Sequence, residues 1–140
     1  ERYNGYQRAI GELGLNETCA VSLEPGNSFE YGYQCTKELL AQNPDLDAIM
    51  AAVDIQGMGA LRALKDMDIH VPDQMRLISL TGHSIGGLLE TSMTSLEIPA
   101  YEIGERATNM TIKEIESPSD AKPSVQHLVF SAVLVERESS

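Results

Sequence analysis

The sequence predicts an α/β domain with a mostly parallel β-sheet flanked by helices. Short apolar runs of strand length alternate along the chain with stretches of about 10–15 residues whose apolar side chains recur at helical spacing. Helices that connect successive strands in this way cover the sheet and leave neighbouring strands parallel. The 140 residues suffice for one domain of ordinary size.

The first part of the chain predicts a helix, a strand and a second helix. Apolar residues recur at helical spacing over 3–13, and Gly14 is typical of the left-handed residue that closes a helix. The apolar run 19–23 predicts a strand. Either Asn27 or Ser28 can then cap a helix that ends before Pro44. The residues expected on its buried side are Gly32, Cys35, Leu39 and Leu40.

The middle of the chain continues the alternation. Residues 48–53 are apolar throughout, which is typical of a strand covered on both faces. Asp54 is then expected to cap a helix whose packed stripe includes Met58, Leu61 and Leu64. After a turn, residues 77–80 predict the next buried strand.

The last part of the chain predicts one more strand–helix–strand unit. Residues 93–98 read as a strand, and Pro99 suits the first position of the helix that follows. That helix extends to Ser117, and a polar linker leads to residue 124. Residues 125–135, including His127, are expected to form one or two strands.

Charge and composition exclude several classes of protein. The formal net charge of −11 disfavours binding to nucleic acid or to an anionic membrane by this segment itself. No apolar run has the roughly 20 residues of a membrane span, and the chain does not begin with a signal peptide. We therefore expect no contact with a membrane. Cys19 and Cys35 are interpreted as reduced core residues of a cytoplasmic protein.

One motif points to a hydrolase. Residues 82–86 match the G-x-S-x-G nucleophile elbow, with Ser84 after a predicted strand. A triad in hydrolase order requires an acid and then a histidine downstream, and His127 is the one histidine beyond this motif. Its candidate acids, Glu116 and Asp120, lie beside a linker, and no oxyanion loop is recognisable upstream. The motif is therefore better explained as a glycine-containing loop, and we expect no catalytic residue.

Metal and cofactor sites find no support either. The three histidines are His70, His83 and His127, and none has the spacing of a metal ligand pair. The sequence contains neither a Walker loop nor a G-x-G-x-x-G motif. We expect neither a bound metal nor a cofactor.

Six segments, in order, resemble the effector-binding half of the LacI/GalR family of bacterial repressors. They are Arg2-x-x-Gly5-Tyr6, Asp47-Ala48-Ile49 with Asp54 to Leu64, Val71-Pro72-Asp73 before Leu77-Ile78-Ser79, Met93 to Pro99, Gly104-x-x-Ala107, and Leu134-Val135-x-Arg137-x-Ser139. No single segment is specific, but their order covers nearly the whole chain.

The resemblance implies a type I periplasmic-binding-protein-like fold, in which two α/β subdomains hold an effector between them. Residues 1–96 and 125–140 would form the C-terminal effector-binding subdomain, without its first strand. Residues 97–124 would supply a helix and linker to the N-terminal subdomain. The rest of that subdomain and the DNA-binding headpiece would precede this chain.

The resemblance also implies a ligand site at the carboxyl ends of the strands, as is general for open α/β sheets. An arginine fork and a carboxylate suit a polyhydroxyl ligand, and an aromatic ring suits its apolar face. Val53 and Thr81 replace the asparagine and aspartate usual in the family, so a carboxylate is lost. The candidate ligand-binding residues are Arg2, Asn27, Phe29, Asp54 and Thr81.

By the same resemblance, the function is the effector-binding and dimerising part of a sugar-responsive repressor, not an enzyme. The effector would be a sugar or sugar phosphate, and residues 81–84 are similar to sucrose-type repressors. Operator DNA would be bound through the preceding headpiece. The alternatives are a periplasmic-type sugar-binding protein and, less well supported, the hydrolase. The expected homodimer contact comprises Gly57, Ala60, Leu61, Leu64, Leu88 and Leu89.

Overall fold

The computed structural model describes residues 2–16, 18, 28–82, 84–117 and 125–140. The predicted α/β class is confirmed, and the strand expected at 19–23 lies outside the described residues. The helices are α1 (Arg2–Leu13), α2 (Phe29–Gln42), α3 (Asp54–Asp66) and α4 (Ala100–Glu116). The strands are β1 (Ala48–Ala51), β2 (Arg76–Gly82), β3 (Thr94–Glu97) and β4 (Val133–Val135), and a 3-10 helix spans Ser84–Leu88.

The described strands form one sheet in the order β1-β2-β3-β4. Strands β1, β2 and β3 are parallel, with Ile49 opposite Leu77, and Ser79 opposite Ser95. Strand β4 is antiparallel to β3. The prediction of one or two strands over 125–135 is confirmed only for the last three residues, because β4 begins at Val133.

The core lies between the sheet and the helix pair α2 and α3. Leu64 and Leu77 are fully buried, and two clusters of apolar side chains fill this layer. The helices approach closely at two glycines. A Cβ added to Gly59 would overlap the carbonyl oxygen of Phe29, and one added to Gly32 would overlap that of Gln56. The buried stripe of α3 contains Leu64, as expected, together with four small residues. Met58 and Leu61, the other two residues predicted for this stripe, are only half-buried.

Strand β1 is not covered on both faces as expected. Ile49 packs against the core clusters, whereas Ala48 is exposed and Met50 is 47% exposed. The prediction failed because an apolar run does not reveal whether one or both faces of a strand are covered. Among the described residues, the helices cover one face only.

Helix α3 begins one residue earlier than expected, and α4 begins one residue later. Asp54 is the first residue of α3, and Val53 occupies the N-cap position. Pro99 is the N-cap of α4 rather than its first residue. Asp54 still lies in the first turn, where the helix dipole stabilises a carboxylate. Ser28, one of the two predicted caps of α2, accepts a hydrogen bond from the Tyr31 amide at 3.1 Å.

Helix α4 contributes no buried residue to this core. Its apolar side chains include Tyr101, which is 85% exposed, and Ile115, which is 77% exposed. None of the described helices has the length and apolar character that a membrane crossing requires.

Candidate ligand-binding site

The carboxyl ends of β1 and β2 form one edge of the sheet. The register pairs Ala51 of β1 with Ser79 of β2. Asp54 follows three residues after Ala51, and Thr81 two residues after Ser79. Since the two strands are parallel, the side chains of Asp54 and Thr81 come from adjacent chain segments at the same edge, where ligands bind in open α/β sheets.

Two oxygens at this edge are shielded from solvent. They are Oδ1 of Asp54 and Oγ1 of Thr81. The Thr81 hydroxyl makes no hydrogen bond in the part of the chain that the structure describes. Leaving such a group unsatisfied costs about 1–3 kcal/mol, and buried polar groups without partners are rare in proteins. The Thr81 hydroxyl is therefore suited to a polar group that the described residues do not supply.

The backbone around Thr81 departs from a regular strand. The pairing of β2 with β3 shifts register between Ser79 and Gly82. Within this interval, the Ser79 hydroxyl donates to the Thr81 carbonyl at 3.3 Å and lies 3.4 Å from the Thr81 amide. A Cβ added to Gly82 would overlap the side chain of Ser95. The close approach that glycine permits thus fixes the end of β2 against β3.

Phe29 lies at the start of α2, directly after the capping Ser28. Its ring is 40% exposed, so it is not part of the core. Its carbonyl group lies against Gly59 in α3, the helix that Asp54 begins. The structure thus places Phe29 beside α3 with an accessible aromatic ring, and its stacking on a ligand stays a prediction.

The sequence, not the structure, assigns Arg2 and Asn27 to this edge of the sheet. Arg2 is exposed at the first residue of α1. Tyr6 links helix α1 to Thr18. Its hydroxyl donates to the Thr18 carbonyl at 2.9 Å and accepts from the Thr18 amide at 3.2 Å. Asn27 lies outside the described residues. The convergence of Arg2 and Asn27 on this edge therefore stays a prediction from the resemblance.

The C-terminal segment carries polar residues whose role the sequence did not reveal. Ser139 is completely buried between β2 and β3. Its hydroxyl donates to the Leu77 carbonyl at 2.6 Å and accepts from the Thr94 amide at 2.9 Å. Its amide donates to the Ser92 carbonyl at 3.0 Å, and its carbonyl accepts from the Leu77 amide at 2.7 Å. The closing Arg137-x-Ser139 motif is therefore part of the sheet's structure.

Glu138, which lies between Arg137 and Ser139, is exposed and bonds Ser92 in the segment before β3. Its carboxylate accepts from the Ser92 amide at 2.8 Å and from the Ser92 hydroxyl at 2.9 Å. The hydrogen bond from that backbone amide, and then the one from the hydroxyl, lower the pKa of Glu138 below its ordinary value.

Three of the six residues expected at a dimer contact belong to the core. Ala60 and Leu64 are buried by this chain, and a Cβ on Gly57 would lie 2.5 Å from the Met93 sulfur. The expectation is corrected for these three, because their small or apolar character is explained by packing under α3. Leu61 and Leu89 are half-buried, and Leu88 is 85% exposed.

The backbone around Ser84 does not have the geometry of a hydrolase nucleophile elbow. Ser84 begins a five-residue 3-10 helix, whereas a nucleophile elbow joins its strand to an α-helix. His127 is exposed and lies in a stretch without regular structure, so its placement in a strand was wrong. Within the described ranges, no three His, Cys, Asp or Glu side chains are grouped so that they could hold a metal ion.

A layered α/β fold with buried polar atoms at the carboxyl edge of parallel strands is typical of a ligand-binding domain. Residues 1–140 match the family model of the periplasmic binding protein-like domain, and the chain belongs to that family. The resemblance to LacI/GalR regulators is confirmed by the relatives, which are transcription regulators.

Three comparisons illustrate the match. The ribose operon repressor of Halalkalibacterium halodurans is 28% identical over 116 residues, which is 83% of this chain and 34% of the repressor. The solved CelR–cellobiose complex superposes with a TM-score of 0.86 at 27% identity, over 100% of this chain and 42% of that protein. A LacI family regulator from Arthrobacter sp. FB24, solved with lactose, has a TM-score of 0.82 at 24% identity over 95% and 48%, and shows the fold alone.

This chain matches only part of each curated relative. The chain spans about a third to two fifths of the length of the curated relatives it matches. These relatives are named as repressors and helix-turn-helix regulators, not as hydrolases or periplasmic binding proteins. They favour the regulator over both alternatives.

Proposed function

We propose that this chain is the effector-binding part of a sugar-responsive LacI/GalR-type transcription repressor. The observation that carries the proposal is the buried Thr81 hydroxyl, which has no hydrogen-bond partner in the described residues and lies at the same sheet edge as Asp54. A ligand group that bonds this hydroxyl would satisfy it. The chain itself would catalyse no reaction.

A neutral or phosphorylated saccharide is the effector class that this edge fits best. Asp54 can accept hydrogen bonds from hydroxyl groups, Thr81 can donate or accept one, and the Phe29 ring offers an apolar face. Arg2 would add a planar fork for hydroxyl or phosphate oxygens. The solved relative with cellobiose supports a saccharide, and the sequence around Thr81 adds sucrose as a candidate.

Effector binding would act on DNA indirectly, in a cytoplasmic protein. Helix α4 would belong to a second subdomain, and the effector would favour one arrangement of the two. The shift can be only as large as the effector's difference in affinity for the two arrangements. Paired headpieces preceding this chain would then be repositioned on operator DNA. In a homodimer, Leu61, Leu88 and Leu89 would form the contact on this subdomain.

Thr81→Val tests the site, since it removes the hydroxyl and keeps the shape. In the full-length protein, we expect the affinity for the bound saccharide to fall about tenfold, the worth of one hydrogen bond of about 1–1.5 kcal/mol. The stability without saccharide should stay equal or rise, because a buried unpaired hydroxyl is removed. Calorimetric titration with ribose, cellobiose, lactose and sucrose, and melting without them, measure both.

Two further variants separate the assignments. Thr111→Val changes an exposed threonine of α4, whose hydroxyl bonds its own helix at 2.9 Å, and should leave the affinity unchanged. Arg2→Ala should abolish binding, and full retained affinity would remove Arg2 from the site. Equal affinity of Thr81→Val and the unaltered protein would refute the site at this edge. Absence of binding to every saccharide in the panel, and to its phosphorylated forms, would refute the effector class.

A further inference from the structure

The Arg137 side chain makes hydrogen bonds at both ends of β3. It is only 15% exposed. One nitrogen, Nη1, donates to the Met93 carbonyl at 2.8 Å and to the Ser95 hydroxyl at 3.0 Å. The other, Nη2, donates to the Glu97 carboxylate at 2.5 Å. Arg137 therefore binds β3 along its whole length, from the residue before it to its last residue.

Through Ser95, Arg137 reaches the end of β2. The Ser95 side chain lies where a Cβ on Gly82 would be, so Gly82 and Ser95 are in direct contact. Gly82 is the neighbour of Thr81, the proposed ligand contact. A displacement of the β2 end by a ligand would thus press on a side chain that Arg137 holds.

On its other side, Arg137 supports the 3-10 helix that carries Leu88. A Cβ on Gly87 would lie 3.4 Å from the Arg137 Nε, and one on Gly86 would lie 3.6 Å from Nη1. The Gly86 carbonyl also accepts from the Met93 amide at 2.9 Å, and Met93 is a residue that Arg137 bonds. The backbone of this helix therefore rests against the guanidinium plane and the start of β3.

We propose that Arg137 is a positioning residue that couples the ligand edge at Thr81–Gly82 to the dimer contact at Leu88. Its planar fork spans the β3 strand and the 3-10 helix at once, so the two can move only together with it. This inference rests on the proposed dimer contact. Lysine has the same charge but a single ammonium group, which cannot bond Ser95 and Glu97 in the same arrangement.

The test uses Arg137→Lys in the full-length protein. We expect the dimer dissociation constant, measured by analytical ultracentrifugation, to rise about tenfold. Amide hydrogen exchange at Gly86–Leu88 should accelerate at least tenfold more than exchange in β2. Arg62→Lys is the matched control, because Arg62 forms an exposed ion pair with Asp66 at 3.0 Å, and it should change neither quantity.

A merely structural role gives a different result. If Arg137→Lys lowers the melting temperature but leaves the dimer constant and the exchange at Gly86–Leu88 unchanged, the proposal is wrong. Should that variant fail to fold, Glu97→Ala removes one bond of the fork and keeps the others. It should then accelerate exchange at Gly86–Leu88, and unchanged exchange would overturn the proposal.

A double-mutant cycle with Leu88→Ala separates this inference from the proposed dimer contact. In the Leu88→Ala background, Arg137→Lys should weaken the dimer less than threefold, because the contact it positions is already lost. A tenfold effect in both backgrounds would show that the residues act independently and would refute the coupling. If Leu88→Ala leaves the dimer intact, the contact surface is wrong, and exchange at Gly86–Leu88 still decides whether Arg137 holds the helix.

Discussion

The Ser139 hydroxyl joins two parallel strands near their amino ends. Between β2 and β3 it takes the place of a backbone group, because it donates to one strand and accepts from the other. The buried Thr94 hydroxyl bonds the backbone of Arg137 on the same segment, accepting from its amide at 2.8 Å. The last residues of the chain are thus held by polar contacts rather than by apolar burial.

Ser139→Ala should therefore be costly for so small a change. It leaves the Thr94 amide and the Leu77 carbonyl buried without these partners, and we expect the free energy of unfolding to fall by about 2 kcal/mol. Ser117→Ala is the matched control, since its exposed hydroxyl bonds the Lys113 carbonyl of its own helix at 2.7 Å. It should change stability by less than about 0.5 kcal/mol. Urea denaturation of the full-length variants measures both, and equal losses would contradict the role of Ser139.

The close contact between α2 and α3 places the start of α2 against α3. Glycines at 32 and 59 let the backbones approach more closely than any side chain would allow. The contact sets Phe29 beside the helix that Asp54 begins. Site geometry therefore depends on two residues that would not touch a ligand.

Gly59→Ala should disrupt this contact. The added methyl group would overlap the Phe29 carbonyl and lie 2.7 Å from the Tyr33 nitrogen, both of which are backbone atoms that cannot rotate away. Overpacking of this kind costs about 1–3 kcal/mol, and we expect the upper end of that range. Thermal unfolding compared with the unaltered protein measures the loss, and an unchanged melting temperature would show that the helices can separate without cost.

Gly11→Ala provides the matched control, because it makes the same substitution within a helix. Within the described ranges, no heavy atom outside the helix lies within 4 Å of the added Cβ. Alanine is favoured over glycine in a helix by about 0.5–1 kcal/mol, so stability should rise slightly. Opposite signs for the two variants would attribute the loss at Gly59 to the helix contact rather than to glycine replacement in general.

For the whole molecule, the alternation of apolar runs with helical spacing was sufficient to predict the class and the order of the described elements. Burial was harder to predict. The core stripe of α3 contains Gly57 and Gly59, which a search for large apolar residues passes over. Arg137 and Ser139 were recognised only as a family signature, because their partners are about 40 to 60 residues away in sequence. Asp54 and Thr81 could be assigned to the carboxyl edge of the sheet from the sequence, because each follows a predicted strand and the edge is set by the topology alone.

Helix α4 bears on how this chain fits into a longer protein. Its apolar side chains Tyr101, Ile112 and Ile115 are not covered by the described core. Exposed apolar side chains that are grouped on one surface mark an interaction site. If residues 97–124 belong to a second subdomain, Tyr101 and Ile115 should be protected once the preceding part of the polypeptide is present. The 140-residue segment alone would then expose them.

Hydroxyl-radical footprinting of both polypeptides tests this division. Tyr101 and Ile115 should be modified at least fivefold more slowly in the longer polypeptide than in the segment of 140 residues. His70 is the internal reference, because it is exposed in the turn before β2 and belongs to the subdomain that both polypeptides share. Since radical labelling depends on solvent access to each side chain, equal rates at Tyr101 and Ile115 would mean that nothing covers α4. The helix would then have to be reassigned to the surface of the subdomain described here.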